Sequence, residues 1–177
     1  TASACPCSKA MTNLERKVLT LLQENARLTV EELASMAGVS ESQIKKTKKK
    51  LETDGVILRY TAVVNERKLA ADRQMAKVRA LVEVRVRPER NTGYDALAKR
   101  IARHKNVVEQ YLISGNYDFL VIVEGDSLEE ISSFVSDKLA STENVVSTAT
   151  HFIMRKYKEK GILIDKPEQV ERLLVTP

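Results

Sequence analysis

Three helix starts of one kind follow one another closely near the beginning of the chain. Thr12 with Glu15, Thr29 with Glu32, and Ser40 with Gln43 each place a short hydroxyl side chain three residues before Glu or Gln. In such a capping box the hydroxyl takes the third amide of the helix, and the longer side chain reaches back to the cap amide. Two of the N–H groups that a first turn leaves unpaired are thereby satisfied. The stops are equally explicit. Gly38 and Gly55 sit where two of these helices must end, and glycine accepts the left-handed backbone that a helix terminus favours.

Between these marks the apolar spacing is helical. Leu14, Val18, Leu21 and Leu22 fall on one stripe, Leu33 and Met36 are expected to face inward from the second helix, and Ile44 and Leu51 anchor the third. The run that follows, VILRYTAVVN (residues 56–65), changes to β-branched and aromatic residues, which predicts a short strand or wing hairpin. Three capped helices plus a β-hairpin make a winged helix-turn-helix over residues 12–64. A charged stretch poor in large apolar side chains, residues 65–76, reads as a linker.

From Lys77 onward the rhythm is different. Val78, Ala80, Val82, Val84 and Val86 alternate with charged neighbours, the period of a strand with one wet face. A helical stripe of Tyr94, Leu97, Ala98 and Ile101 follows, then two strand-like runs joined through Gly115 and Asn116. A further amphipathic helix carries Leu128, Ile131, Phe134, Val135 and Leu139 behind a fourth capping signal at Ser127 and Glu130, and a last strand runs through NVVSTATHF. The order βαββαβ predicts a ferredoxin-like unit over residues 77–160, so the fold class is α+β. Residues 1–11 read as a disordered tail and residues 161–177 as a C-terminal extension.

The third helix poses a problem of its own. Five of the six residues from Lys45 to Lys50 are lysine, and like charges three or four apart weaken an isolated helix. Lys and Arg together number 29 against 24 Asp and Glu, a net charge of +5 that suits an anionic partner. The second helix of a helix-turn-helix lies in the DNA major groove, where its first residues approach base edges. Ser40, Glu41, Ser42 and Gln43 occupy that end. Lys45, Lys46, Lys49 and Lys50 surround the flank and are read as phosphate contacts that relieve the repulsion. The bland alternative is a solvated charged face, to which Glu52 and Asp54 contribute as partners of Lys48 and Lys50.

Other classes find little support. The chain offers no apolar run of membrane-spanning length and no apolar signal core, so a cytoplasmic protein without a membrane partner is expected. Cys5 and Cys7 are too few and too closely spaced for a structural zinc site, and no metal site is read. A phosphate-binding Gly loop and a nucleophile elbow are both missing, so no catalytic residue and no cofactor are assigned. His104, near a helix end, reads as a cap, and His151 as a pocket-wall or surface residue.

LERKVLTLLQENARLTVEELASMAGVSESQIKK followed by LETDGVILRYTAVVN resembles the N-terminal half of the Lrp/AsnC (leucine-responsive, feast/famine) transcriptional regulators. The second half resembles their ligand-sensing domain, with LISGNYDFLVIVEG in place of the family's turn between two strands. The resemblance implies duplex DNA as partner, a small effector such as an amino acid, and homodimers that join into octamers. By position it implicates Gly115, Asn116, Tyr117 and Asp118 in the turn, with Thr148 and Thr150 on the last strand, as effector contacts. The chemistry agrees, since a carboxylate can take an ammonium while free N–H groups and Thr hydroxyls can take a carboxylate. One departure stands out: where the family commonly has Arg followed by Val or Ile in the recognition helix, this chain has Thr47 and Lys48, so the Lys48 stem is expected to snorkel past the core. Two other readings compete with a DNA-binding regulator: a ligand-sensing assembly module that leaves DNA alone, and an enzyme like the tetrapyrrole decarboxylases that resemble this family.

Overall fold

The computed structural model describes residues 10–65, 68, 77–88 and 93–164. Two compact units divide at Ala62 and Val63. The first holds three helices, α1 (Asn13–Glu24), α2 (Val30–Ala37) and α3 (Glu41–Thr53). All three predicted capping boxes form with both of their hydrogen bonds. Val18, Leu22, Leu33, Ala34, Ile44 and Leu51 make the core, and Leu28, Val39 and Ile57 pack against it. Met36 does not join them. The inward stripe of α2 runs through Val30, Leu33, Ala34 and Ala37, so Met36 falls outside it and is 51% exposed.

The wing hairpin expected over residues 56–65 is not formed: these residues contain no strand. The amides of Val56 and Ile57 instead both donate to the Leu51 carbonyl (2.9 and 3.0 Å), closing the end of α3. The chain then runs on without a ladder, leaving Leu58 88% exposed. Strand-like composition specifies an extended backbone, but a hairpin also needs a second strand in register. Most of the expected linker (65–76), most of the tail (1–11) and residues 165–177 of the extension lie outside the described residues.

The second unit is the predicted βαββαβ. Its strands are β1 (Val78–Val86), β2 (Val107–Leu112), β3 (Phe119–Gly125) and β4 (Val145–Phe152), with α4 (Asp95–Ala102) after β1 and α5 (Leu128–Phe134) after β3. The sheet order is β2-β3-β1-β4 with every neighbour antiparallel. Ala80, Val82, Val84 and Val86 share a face with Phe119, Val121 and Val123, and on it pack Leu97 and Ile101 of α4 with Ile131 and Phe134 of α5. A single π-helical turn, Val135–Leu139, continues α5 and buries Val135 and Leu139 too. The Ser127 cap accepts from the Glu130 amide as expected, but Glu130 sends its carboxylate to the Asp126 N–H (2.7 Å) and the Asn106 amide (2.9 Å) instead of back to its own cap.

Beyond β4 the chain makes a two-stranded hairpin, β5 (Lys158–Glu159) and β6 (Ile162–Leu163), turning through Lys160 and Gly161, both at positive φ. Glu159 holds it to the sheet. Its carboxylate meets Lys156 at 2.8 Å and Arg79 of β1 at 3.5 Å, while Arg79 also pairs with Glu124 of β3. Asn65, at the start of this unit, donates from its side chain to the Ile164 carbonyl (3.1 Å).

Candidate nucleic-acid interface and effector site

Gly38 sets the angle at which α3 is presented. It caps α2 in the left-handed region (φ 73°), and its amide and that of Val39 both donate to the Ala34 carbonyl (2.9 and 3.1 Å). Val39 turns toward the core, and Ser40 opens α3 immediately afterwards. Two helices joined by three residues through a glycine have the form of a helix-turn-helix. The open depression between them, about 630 Å³, is rimmed by Glu31 and Glu41, which repel phosphate. No lysine of α3 lines this depression.

The five lysines differ in their surroundings. Ile44 and Leu51 are buried against α1 and α2. At about 100° per residue, Ser42, Lys46 and Lys49 fall within roughly 30° of the direction opposite those anchors, with Lys45 and Lys50 about 70° to either side. Lys50 is turned onto Glu15 of α1, its ammonium 2.5 Å from the carboxylate. Lys48 snorkels as expected: it is half-buried, and its Nζ lies 4.9 Å from the centre of the Tyr60 ring, a cation–π contact. Lys45 meets Glu41 one turn back at 3.5 Å, with its side chain still 64% exposed. Lys46 and Lys49 form no ion pair among the described residues. Ser40 and Gln43 spend their oxygens on the cap, whereas Ser42 is exposed.

Glu15 has a partner that the sequence pattern did not reveal. It is 6% exposed, completes the α1 capping box by accepting from the Thr12 N–H (2.7 Å), and takes Lys50 as well. The Lys50 hydrogen bond, followed by that of the Thr12 amide, holds its carboxyl down at about 2. The capping pattern marked Glu15 in the sequence, but no spacing rule links it to a lysine 35 residues away. Tyr60 escaped notice in the same way. Its hydroxyl donates to Glu52 (2.8 Å) while its ring receives Lys48, and burial, then the hydrogen bond to Glu52, pushes its pKa up to about 12.

In the second unit the turn between β2 and β3 spans residues 113–118, a longer connection than Gly115 and Asn116 alone. Gly115 and Asn116 are exposed, and Tyr117 and Asp118 half-buried. Asp118 is already engaged through both oxygens: one accepts from the Val86 N–H (2.8 Å), the other from the Tyr94 hydroxyl (3.1 Å). The Arg85 guanidinium fastens the turn by donating to the Asn116 carbonyl from Nε (3.0 Å) and Nη2 (2.5 Å). Thr148 pairs with Val84, which also pairs with Phe119 beside the turn. Thr148 is thus two strand spacings, roughly 10 Å, from the turn, and Thr150 lies one pleat further. Both threonines are half-buried on the helix-covered face. His151 points to the other face, where its Nε2 is 3.4 Å from Glu83, so it lines nothing shared with them. His104 closes the end of α4 through its backbone amide, which donates to the Ile101 carbonyl (3.1 Å), whereas its ring makes no cap bond among the described residues and packs edge-on against Phe134, 5.3 Å between centres.

A helix-turn-helix unit with an exposed basic helix, followed by a βαββαβ unit with a polar turn at its sheet end, defines a class: DNA-binding regulators with an attached ligand-binding domain. The comparisons agree. The AsnC-type helix-turn-helix domain matches residues 11–52, and the Lrp/AsnC ligand binding domain matches residues 79–163. The chain is 39% identical over 167 residues to the HTH-type transcriptional regulator YugG of Bacillus subtilis, covering 94% of this chain and 99% of that protein. It is 32% identical over 146 residues to the leucine-responsive regulatory protein of Rhizobium meliloti, covering 82% and 90% respectively. Among solved structures, an AsnC family transcriptional regulator from Agrobacterium tumefaciens superposes with a TM-score of 0.65 at 28% identity, covering 86% of this chain and 96% of that one. The chain belongs to the Lrp/AsnC family of helix-turn-helix transcriptional regulators. No helix among the described residues is long and apolar enough to cross a membrane, and no three His, Cys, Asp or Glu side chains among them gather as metal ligands.

Proposed function

We propose that this protein regulates transcription in the cytoplasm by binding duplex DNA as a dimer through α3, under control of an amino acid or related small effector taken up by the βαββαβ unit. The observation that carries the DNA reading is the division of labour on α3. Lys48 and Lys50 are drawn aside onto Tyr60 and Glu15, and the lysines left at the outward side are Lys45, Lys46 and Lys49. Lys45 and Lys49 contact phosphates, and Lys50 serves chiefly to fix α3 on α1. One such helix covers only a few base pairs, so two-fold pairing supplies the second half-site.

Effector binding draws its support from a named relative and from the turn of the βαββαβ unit. The named role of the Rhizobium meliloti relative is leucine-responsive regulation. In this chain Gly115 and Asn116 of the turn are exposed, and the Asp118 carboxylate, although engaged twice, has lone-pair capacity for an ammonium. Thr148 and Thr150, two strands from the turn in their own chain, supply hydroxyls that take the carboxylate of an effector whose ammonium is held by the turn of a second subunit. The test is retention of sheared duplex DNA at low salt, combined with the particle mass in solution, with and without a panel of amino acids. The reading predicts retention, a mass of at least a dimer, and a change in one or both with some amino acid. An absence of retention at low salt contradicts it. The same experiment opposes the assembly-module reading, which predicts a mass change with no DNA. An enzyme gains no support, since the relatives compared are named as transcriptional regulators.

A further inference from the structure

We infer that Lys46 is the base-reading residue of α3 and that it selects guanine in the major groove of each half-site. The inference rests on the DNA-binding reading above and assigns it a sequence preference. Lys46 is exposed, points within roughly 30° of directly away from Ile44 and Leu51, and lies one turn beyond Ser42 on the same stripe. A helix that enters the groove by its N-terminal end turns the first part of this stripe, Ser42 and Lys46, to the floor, and its flanks and later turns to the phosphate walls. The two lysines adjoining Thr47 have different surroundings: Lys48 rests on Tyr60, whereas Lys46 makes no ion pair among the described residues. Lys45, at a flank, has Glu41 beside it, and Lys49 lies a further turn toward the C-terminal half of α3, away from the end that approaches bases.

The chemistry of the ammonium then fixes the base. Lysine carries donors only. Guanine alone offers two acceptors, O6 and N7, to one donor group in the major groove. Adenine sets an amino donor beside its N7, cytosine shows a donor, and thymine a single acceptor next to a methyl group. Ser42, with a hydroxyl that both donates and accepts, tolerates either base at the neighbouring position. Glutamine makes the complementary pair of bonds to adenine, so the proposal can be tested by a change of preference as well as by a loss.

The experiment is selection of duplexes from a random-sequence pool by the full chain, followed by affinity measurement over a range of salt, for wild type, Lys46→Gln, Lys46→Arg and Lys49→Gln. Wild type and Lys46→Arg are expected to enrich guanine at one position of each half-site. Lys46→Gln is expected to shift that position toward adenine by a factor of about ten or more, leaving the others unchanged. Lys49→Gln keeps the wild-type preference, weakens binding on every duplex, and makes the salt dependence shallower by about 0.9 in log–log slope for each subunit bound. The inference is overturned if Lys46→Gln selects the same bases as wild type and only weakens binding uniformly, as a phosphate contact would. If wild type retains no duplex even at low salt, the DNA-binding reading fails and the inference goes with it.

Discussion

Glu15 shows how one carboxylate can settle the posture of a helix two elements away. It closes the α1 capping box and draws Lys50 out of the lysine run, and both bonds favour its ionised form. A carboxyl whose folded pKa is depressed contributes stability above its unfolded value, here 4.5, and loses that contribution as pH falls toward its folded value of about 2. We expect Glu15→Gln to lower the melting temperature of the helix-turn-helix unit at neutral pH. The gap from wild type should close as pH falls from about 4.5 toward about 2, and a gap that stayed constant over that window would show that Lys50 and Thr12 do not hold the carboxylate. Asp118 plays a comparable part in the second unit. Asp118→Ala leaves the Val86 N–H, on a residue 6% exposed, without its acceptor, a loss of about 1–3 kcal/mol measurable by denaturant unfolding. Tyr94→Phe keeps the edge-on contact with Phe119, 5.8 Å between ring centres, and should cost less than Asp118→Ala. Equal losses would mean that the bond from the Tyr94 hydroxyl, rather than the one from the Val86 N–H, carries what Asp118 contributes.

Elements were legible wherever a local rule determines them. Thr12, Thr29 and Ser40 start helices because their hydroxyls answer amides three residues on, and such short-range bonds can be read from spacing. Gly38 was equally readable as a stop. Added at Gly38, a Cβ would meet no atom within 4 Å, so Gly38→Ala should cost only the strain of the left-handed backbone, about 1 kcal/mol. Unfolding at neutral pH checks this; a cost near zero would show that the turn tolerates another backbone path. The alternation of Val78 to Val86 likewise placed β1 and its buried face. The wing failed because a run such as VILRYTAVVN encodes extension but not the partner that makes extension a ladder. Long-range pairings were hidden for a related reason. Glu15 with Lys50, Lys48 with Tyr60, Arg85 with the Asn116 carbonyl and Tyr94 with Asp118 depend on how helices and strands dock, which no residue interval announces. The lysines of α3 could therefore be picked out as a group, while the difference in their surroundings became visible only after α1 and Tyr60 had claimed two of them.

At the scale of the whole molecule, a basic reading unit and a polar-turned sheet unit occupy one chain, each with its own core. Lysine crowding on α3 suits DNA binding by the first unit, because the repulsion it brings to the free protein is relieved when phosphates lie opposite. Condensed counterions leave the duplex as those contacts form, and this makes affinity fall with salt. The most direct measurement is the slope of log affinity against log salt for one duplex, taken for wild type and for the variant carrying Lys45→Gln and Lys49→Gln together. A slope shallower by roughly 0.9 for each lysine removed, with weaker binding throughout, is what the phosphate assignment predicts. An unchanged slope and affinity would contradict it.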